Sequence, residues 1–226
     1  MYLGSANRDG ERYILLELCA GGSVRQLLDM RHPRGLPHDL LHSYGAQLLV
    51  GLHFLHGHMI IHRDLKGENV LFADPSCATL KIADFGSSSE LLAGTTLSLD
   101  VTTIRGSPFW MSPEHICGQR CGRKADVWSA GCVLLEMLTG VPPWREAGVP
   151  QESNGRFAVF ALLNRIVSSE GPPPCPPAES MPPGLHSVLM ACFSRDLEQR
   201  PTTAELIDFP WFRQPAAGAA TAGAAE

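Results

Sequence analysis

Nothing in the 226-residue chain pairs its cysteines at C-x-x-C spacing. The seven cysteines (Cys19, Cys77, Cys117, Cys121, Cys132, Cys175 and Cys192) are odd in number and scattered. That pattern offers neither a disulfide framework nor zinc-ligand spacing. Free, reduced thiols are expected, and they fit a cytoplasmic location, with the nucleus also compatible. Basic clusters are missing as well. Lys and Arg number 18 against 23 Asp and Glu, a formal charge of −5. That balance argues against general nucleic-acid binding. The longest apolar run, Ala130 to Leu138, is broken by Glu136 and is too short to span a bilayer. The N-terminus has no basic stretch followed by an apolar one, so no signal peptide is expected. What remains, 44% hydrophobic and 18% charged residues, suits one globular domain with a sizeable core.

The most informative stretch runs from Ile60 to Leu71, I-I-H-R-D-L-K-G-E-N-V-L. His62-Arg63-Asp64 alone fits an ordinary polar turn between two short strands. Lys66 and Asn69 in register add specific chemistry. A carboxylate (Asp64) can accept the proton of an attacking hydroxyl. An ammonium (Lys66) can offset charge on a transferred phosphate. A neutral amide oxygen (Asn69) can ligate Mg²⁺ without a second full charge. Lys81-Ile82-Ala83-Asp84-Phe85-Gly86 follows, with Asp84 twenty residues beyond Asp64. An Asp and a Gly after a strand usually mean only a turn. At this distance from H-R-D-L-x-x-x-N, the D-F-G signature carries weight. Gly106-Ser107-Pro108-Phe109-Trp110-Met111-Ser112-Pro113-Glu114 and Asp126-Val127-Trp128-Ser129-Ala130-Gly131 come next.

With these segments in order, the chain resembles a eukaryotic protein kinase over residues 2 to 212. The resemblance implies an α+β protein-kinase-like fold, mainly the helical C-lobe with the last N-lobe strands and the hinge. Residues 1–212 would form the partial kinase domain, and 213–226 an Ala/Gly-rich disordered tail. It implies ATP and Mg²⁺ as cofactors and a protein substrate. Asp64, Lys66 and Asn69 would be catalytic. Asn69 and Asp84 would hold Mg²⁺, and Phe85 and Gly86 would complete D-F-G, with Phe85 packed inward. Adenine would meet the Glu17 carbonyl and Cys19 amide at the hinge, with Leu16 as gatekeeper and Leu71 as floor. His62 belongs to the catalytic-loop signature. Asp126 would hold the catalytic-loop backbone from below, and Glu114 would pair with Arg200. Residues 87 to 105 match the activation loop, where Thr102 or Thr103 would be a phosphosite read by Arg63. Asp64-Leu65-Lys66 and Ser107, which can bridge the catalytic Asp and Lys, favour a Ser/Thr kinase. Leu18 to Ser23, Gly67 and Gly122 to Asp126 look most like the MAP kinase kinase kinase family. A MAP kinase kinase would then be the substrate.

The sequence also departs from that family. Ser112 stands where Ala is usual, and Leu197 where Pro is usual. No glycine-rich phosphate loop, V-A-I-K lysine or C-helix glutamate precedes Tyr2. A truncated form is therefore expected, with little ATP turnover by itself, because those parts fix phosphate geometry. A catalytically inactive kinase-like scaffold or binding module stays open as the rival. A small-molecule kinase shares the catalytic loop but has no need of the Gly106 to Glu114 segment.

Element by element, Tyr2 to Gly4 and Tyr13 to Leu18 read as strands around the turn Asn7-Arg8-Asp9-Gly10. Without neighbouring strands their apolar residues would be partly uncovered. Val24 to Met30 and His38 to His56 read as helices, the second with Leu40, Leu41, Tyr44, Leu48, Leu52 and Leu55 on one stripe. The histidines nearby (His32, His38, His42, His53, His56 and His58) share no metal-binding face. Residues 124 to 139 read as a buried helix with Asp126 capping its start. Arg145 to Gly155 is a polar insertion and Pro172 to Pro183 a proline-rich link. Phe157 to Val167, Leu185 to Phe193 and Thr203 to Ile207 read as helices, the last capped by Thr202 with Glu205.

Overall fold

The structure is a computed structural model, and it describes residues 2–90, 108–119, 122–145 and 156–213. Thr102, Thr103 and Ser107, most of the polar insertion, Cys121 and residues 214–226 lie outside the described residues.

The chain opens on a hairpin, β1 (Tyr2–Arg8) and β2 (Glu11–Leu16), antiparallel with Ala6 opposite Tyr13. The turn is tighter than Asn7 to Gly10. Asn7 and Arg8 pair with Arg12 and Glu11, and only Asp9 and Gly10 turn the chain, both at positive φ (54° and 84°). Two successive positive-φ residues suit the twist of a two-residue hairpin loop, and Asp-Gly supplies them at low cost. β2 stops at Leu16 rather than Leu18.

Residues 20 to 23 then lie along β4 (Val70–Phe72). The Gly21 amide donates to the Phe72 carbonyl and the Phe72 amide to that of Gly22. A Cβ on Gly21 would sit 2.2 Å from the Asp74 carbonyl oxygen, so the Gly-Gly pair is what permits this approach. Ser23 caps α1 (Val24–Arg31) in a capping box with Gln26. α2 (His38–Gly57) buries Leu41, Tyr44, Leu48, Leu52 and Leu55, while Leu40 is only partly covered. After it come β3 (Ile60–Ile61), then β4, and β5 (Leu80–Ile82), which pairs antiparallel with β4. β6 (Ser89–Glu90) pairs with β3.

The helical body is α3 (Pro113–Ile116), α4 (Arg123–Thr139), α5 (Arg156–Ser168), α6 (Leu185–Cys192), α7 (Thr203–Ile207) and α8 (Pro210–Arg213). α4 runs through its centre, with Val127, Trp128, Cys132, Val133 and Met137 at 0% exposure. Its burial all round follows from its near-continuous apolar sequence. One expectation changes here. Asp126 does not cap its own helix, whose N-cap is Gly122 without a side-chain bond. Its carboxylate reaches across to the catalytic loop instead. Among the described residues no helix is long and apolar enough to cross a membrane.

Candidate active site

The loop between β3 and β4 carries His62 to Asn69. It hangs from one carboxylate. Asp126 is buried at 0% exposure in α4 and accepts from the His62 amide (2.8 Å, Oδ2) and the Arg63 amide (2.8 Å, Oδ1). His56, from the end of α2, donates its Nε2 proton to the same carboxylate at 2.9 Å. A buried carboxylate needs such donors to offset its lost hydration. Here two adjacent loop amides and His56 of α2 supply them, so the loop's entry is fixed to both long helices.

The His62 ring ties the loop to the strand beyond it. Nε2 lies 3.0 Å from the Ala83 carbonyl, and Nδ1 faces the Asp64 amide at 3.3 Å. A carbonyl can only accept and an amide N–H can only donate, so the proton sits on Nε2. The Ala83 amide in turn donates to the Asn69 carbonyl at 2.9 Å. Asp84 is therefore one residue from a segment bonded twice to the loop.

Within the loop the polar side chains converge. Lys66 Nζ is 3.2 Å from Asp64 Oδ2. Asn69 Nδ2 donates to the Asp64 carbonyl (2.8 Å) and to Asp64 Oδ2 (3.2 Å). That leaves the Asn69 amide oxygen as its acceptor end. A single turn of 3-10 helix, Gly67–Asn69, sets the spacing. Asp84 is exposed, in the left-handed region (φ 65°, ψ 77°), with Oδ1 accepting from the Gly86 amide at 3.2 Å. An amide oxygen and one exposed carboxylate fit Mg²⁺, which binds through one or two carboxylates plus phosphate and water.

Two expectations about apolar groups change. Phe85 does not pack inward. It is 47% exposed and meets the edge of the His62 ring, centroids 5.4 Å apart. Leu16, expected as gatekeeper, is 64% exposed. Glu17 and Cys19 are half-buried, and Leu71, half-buried on β4, bridges to Ser23. Glu17 forms an ion pair with Lys81 of β5, which holds its carboxyl below the ordinary range. That pair ties the hinge to the strand leading to Asp84.

Glu114 and Arg200 meet in a bidentate pair, 2.6 and 3.1 Å, both buried. Arg200 also donates to the Ser194 and Lys124 carbonyls and lies over the Trp128 ring at 5.1 Å. Burial alone would raise the Glu114 pKa, but Arg200 pulls it below its ordinary value. Arg63 takes positive φ (69°), and its Nε is buried without a hydrogen-bond partner among the described residues. His115 has its pKa lowered, first by burial and then by nearby Arg63.

One group escaped sequence reasoning. Glu136, at 0% exposure in α4, receives Arg25 Nη1 (2.8 Å) and Trp110 Nε1 (3.0 Å). The available signal was its position: a carboxylate inside an apolar buried helix requires a partner. Four of the six clustered histidines serve separate ends: His56 meets Asp126, His42 the Trp211 carbonyl, His53 Thr203, and His58 the Phe54 carbonyl of α2.

Comparison with known proteins agrees with this geometry. The family described as "Protein kinase domain" matches residues 1–212. Mitogen-activated protein kinase kinase kinase 2 of Arabidopsis thaliana is 34% identical over 210 residues, 93% of this chain and 30% of that protein. Mitogen-activated protein kinase kinase kinase 1 of Homo sapiens is 36% identical over 212 residues, 93% of this chain and 13% of that protein. MAP3K epsilon protein kinase 1 of Arabidopsis thaliana is 33% identical, covering 94% of this chain and 14% of its own length. The chain thus spans at most about a third of the curated relatives named here. A catalytic loop slung from a buried helix carboxylate and bonded to a D-F-G strand, over a chain matched almost end to end, has one consequence: the chain belongs to the protein kinase domain family.

Proposed function

We propose that this chain carries the phosphoryl-transfer centre of a protein serine/threonine kinase that uses ATP and Mg²⁺, acting in a MAP kinase cascade on a MAP kinase kinase. The observation that supports it most is the mesh of Asp64, Lys66 and Asn69, bonded through Asn69 and His62 to the residue preceding Asp84. Likeness to MAP kinase kinase kinases supports the cascade assignment.

Each side chain then has one task. Asp64 accepts the proton of the substrate hydroxyl. Lys66, within reach of Asp64 and half-buried, offsets charge on the phosphoryl group as it moves. The Asn69 amide oxygen and the Asp84 carboxylate hold the metal. Bound Mg²⁺-ATP supplies the γ-phosphoryl group and neutralises its charge. The Glu17 carbonyl and Cys19 amide receive adenine, with Leu71 beneath it. Arg63, with its buried unpaired Nε, pairs with phosphate placed on Thr102 or Thr103. A new charge-assisted contact of that kind orders a loop. Mass spectrometry of the active protein isolated from cells is expected to find phosphate on one of these threonines. Its absence from residues 87 to 107 contradicts the switch.

The test is radiolabelled phosphate transfer from ATP to a purified MAP kinase kinase. It compares the chain alone with the chain fused behind the N-terminal strands of the human relative, with Asp64→Ala as background. Asp84→Asn in the fused form is expected to remove most transfer, at least about a hundredfold, because it weakens metal binding at the phosphates. Transfer within tenfold of the parent at saturating Mg²⁺-ATP overturns the assignment.

A further inference from the structure

Glu136 lies directly beneath the catalytic loop. A Cβ built on Gly67 would sit 2.7 Å from its Oε2 and 2.9 Å from both Cδ and Oε1. The loop therefore rests on the carboxylate by its bare Cα, at the residue after Lys66 and two before Asn69. Two donors hold the seat in place. Arg25 Nη1 binds Oε1, and Trp110 Nε1 binds Oε2. Arg25 is itself fixed by Asp29 (2.8 and 3.1 Å) and by the Gly140 carbonyl (2.9 Å). It stands two residues after Ser23, in the helix that follows the hinge. Trp110 stands in the 3-10 turn Pro108–Trp110, within the segment from Gly106 to Glu114 that sets protein kinases apart from small-molecule kinases, and Ser129 Oγ donates to its carbonyl at 2.8 Å.

We propose that Arg25 and Glu136 form a positioning pair, on which the catalytic loop is seated at Gly67, so that the helix after the hinge sets the placement of Lys66 and Asn69. The inference rests on the kinase reading above. Glu136 touches no reacting atom in this account and acts through Gly67. Burial pushes its pKa up to about 7, against the pull of Arg25 and Trp110, and nearby Glu68 adds to the rise. Gly67 follows from the same contact. Any side chain there must displace a carboxylate that both donors pin.

The experiment uses the ¹⁵N-labelled full chain and four variants: Arg25→Met, Glu136→Gln, Arg25→Met/Glu136→Met and Gly67→Ala. The amide resonances of Lys66, Gly67, Glu68 and Asn69 are expected to shift or broaden in Arg25→Met, in the double variant and in Gly67→Ala. Resonances of α6 should stay in place in all of them. The double variant strands no charge, so its melting temperature should lie above that of Arg25→Met, which separates seating from simple loss of fold. In the fused form that transfers phosphate, Arg25→Met should lower kcat by at least about tenfold with KM for the protein substrate within twofold. Unmoved resonances for residues 66 to 69 in every variant overturn the proposal. So does an unchanged kcat with a KM that rises only for substrates carrying a basic residue, since Glu136 would then read substrate. If even the parent transfers no phosphate, the kinase reading fails while the resonances still decide whether the pair seats the loop.

Discussion

The hairpin and α4 are both rich in apolar residues, yet they end in opposite environments. Tyr2, Leu3, Ile14, Leu15 and Leu16 of the hairpin are 51–65% exposed, whereas α4 buries thirteen consecutive residues from Ala125 to Met137. The difference is one of partners. α4 is ringed by α2, α6 and the catalytic loop. The hairpin strands, among the described residues, pair only with each other. A two-stranded hairpin is marginal without a further layer. The lesson is that the catalytic loop and Asp84 draw their order from the helical body. Asp126, His56 and Glu136 all belong to α2 or α4.

The largest break in this comparison should come from Arg200→Leu. It strands Glu114 in a buried site, which typically costs about 3–5 kcal/mol. For a chain of this size that lowers the melting temperature by roughly 10 °C. A scanning calorimetry trace at the parent temperature would show that the bidentate pair holds nothing. The same pair predicts acid sensitivity. Glu114 has a lowered pKa in the fold, so its contribution is present above its ordinary value of 4.5 and lost as pH falls through the lower folded value.

Glu136 predicts the reverse sign and a smaller effect. Its pKa rises from 4.5 to about 7, so its contribution is full below 4.5 and is lost as pH climbs through about 7. Urea unfolding of the parent and of Glu136→Gln, at pH 5 and pH 7.5, should show the parent losing ground to the variant at the higher pH. The upper limit is roughly 3 kcal/mol at 1.36 kcal/mol per tenfold. A pH-independent difference would contradict it. The smallest effect belongs to the hairpin. Leu16→Ser should change global stability by less than about 0.5 kcal/mol, as for other exposed positions, while reducing self-association measured by light scattering. A loss comparable to Arg200→Leu would make the hairpin part of the body.

Much of this was legible in the residues. The helix from Thr203 to Ile207 appears with its Thr202–Glu205 box because capping is local chemistry. α2 follows its apolar stripe to within a residue at its end. Catalytic-loop order reads directly, since the spacing of Asp64, Lys66 and Asn69 is set within one turn. What escaped was contact between distant segments. Arg25 and Glu136 are 111 residues apart, and neither belongs to a signature that names its partner. Glu136 stood out only as the interruption of an apolar run. Phe85 and Leu16 escaped for a different cause: exposure depends on which neighbours cover a side chain, and a strand's own residues do not state that. Asp126 shows both sides. Capping of its own helix, expected from its place at the helix start, does not occur, whereas the carboxylate accepts from the His62 and Arg63 amides, a hold on the loop that only the kinase resemblance implied.

Native-state hydrogen exchange, read by mass spectrometry on the purified chain, tests the division most directly. Amides of residues 60–72 and of α4 are expected to be protected at least on the order of a hundredfold more than those of β1 and β2, because opening free energies follow burial. Equal protection of the hairpin and the catalytic loop would contradict it.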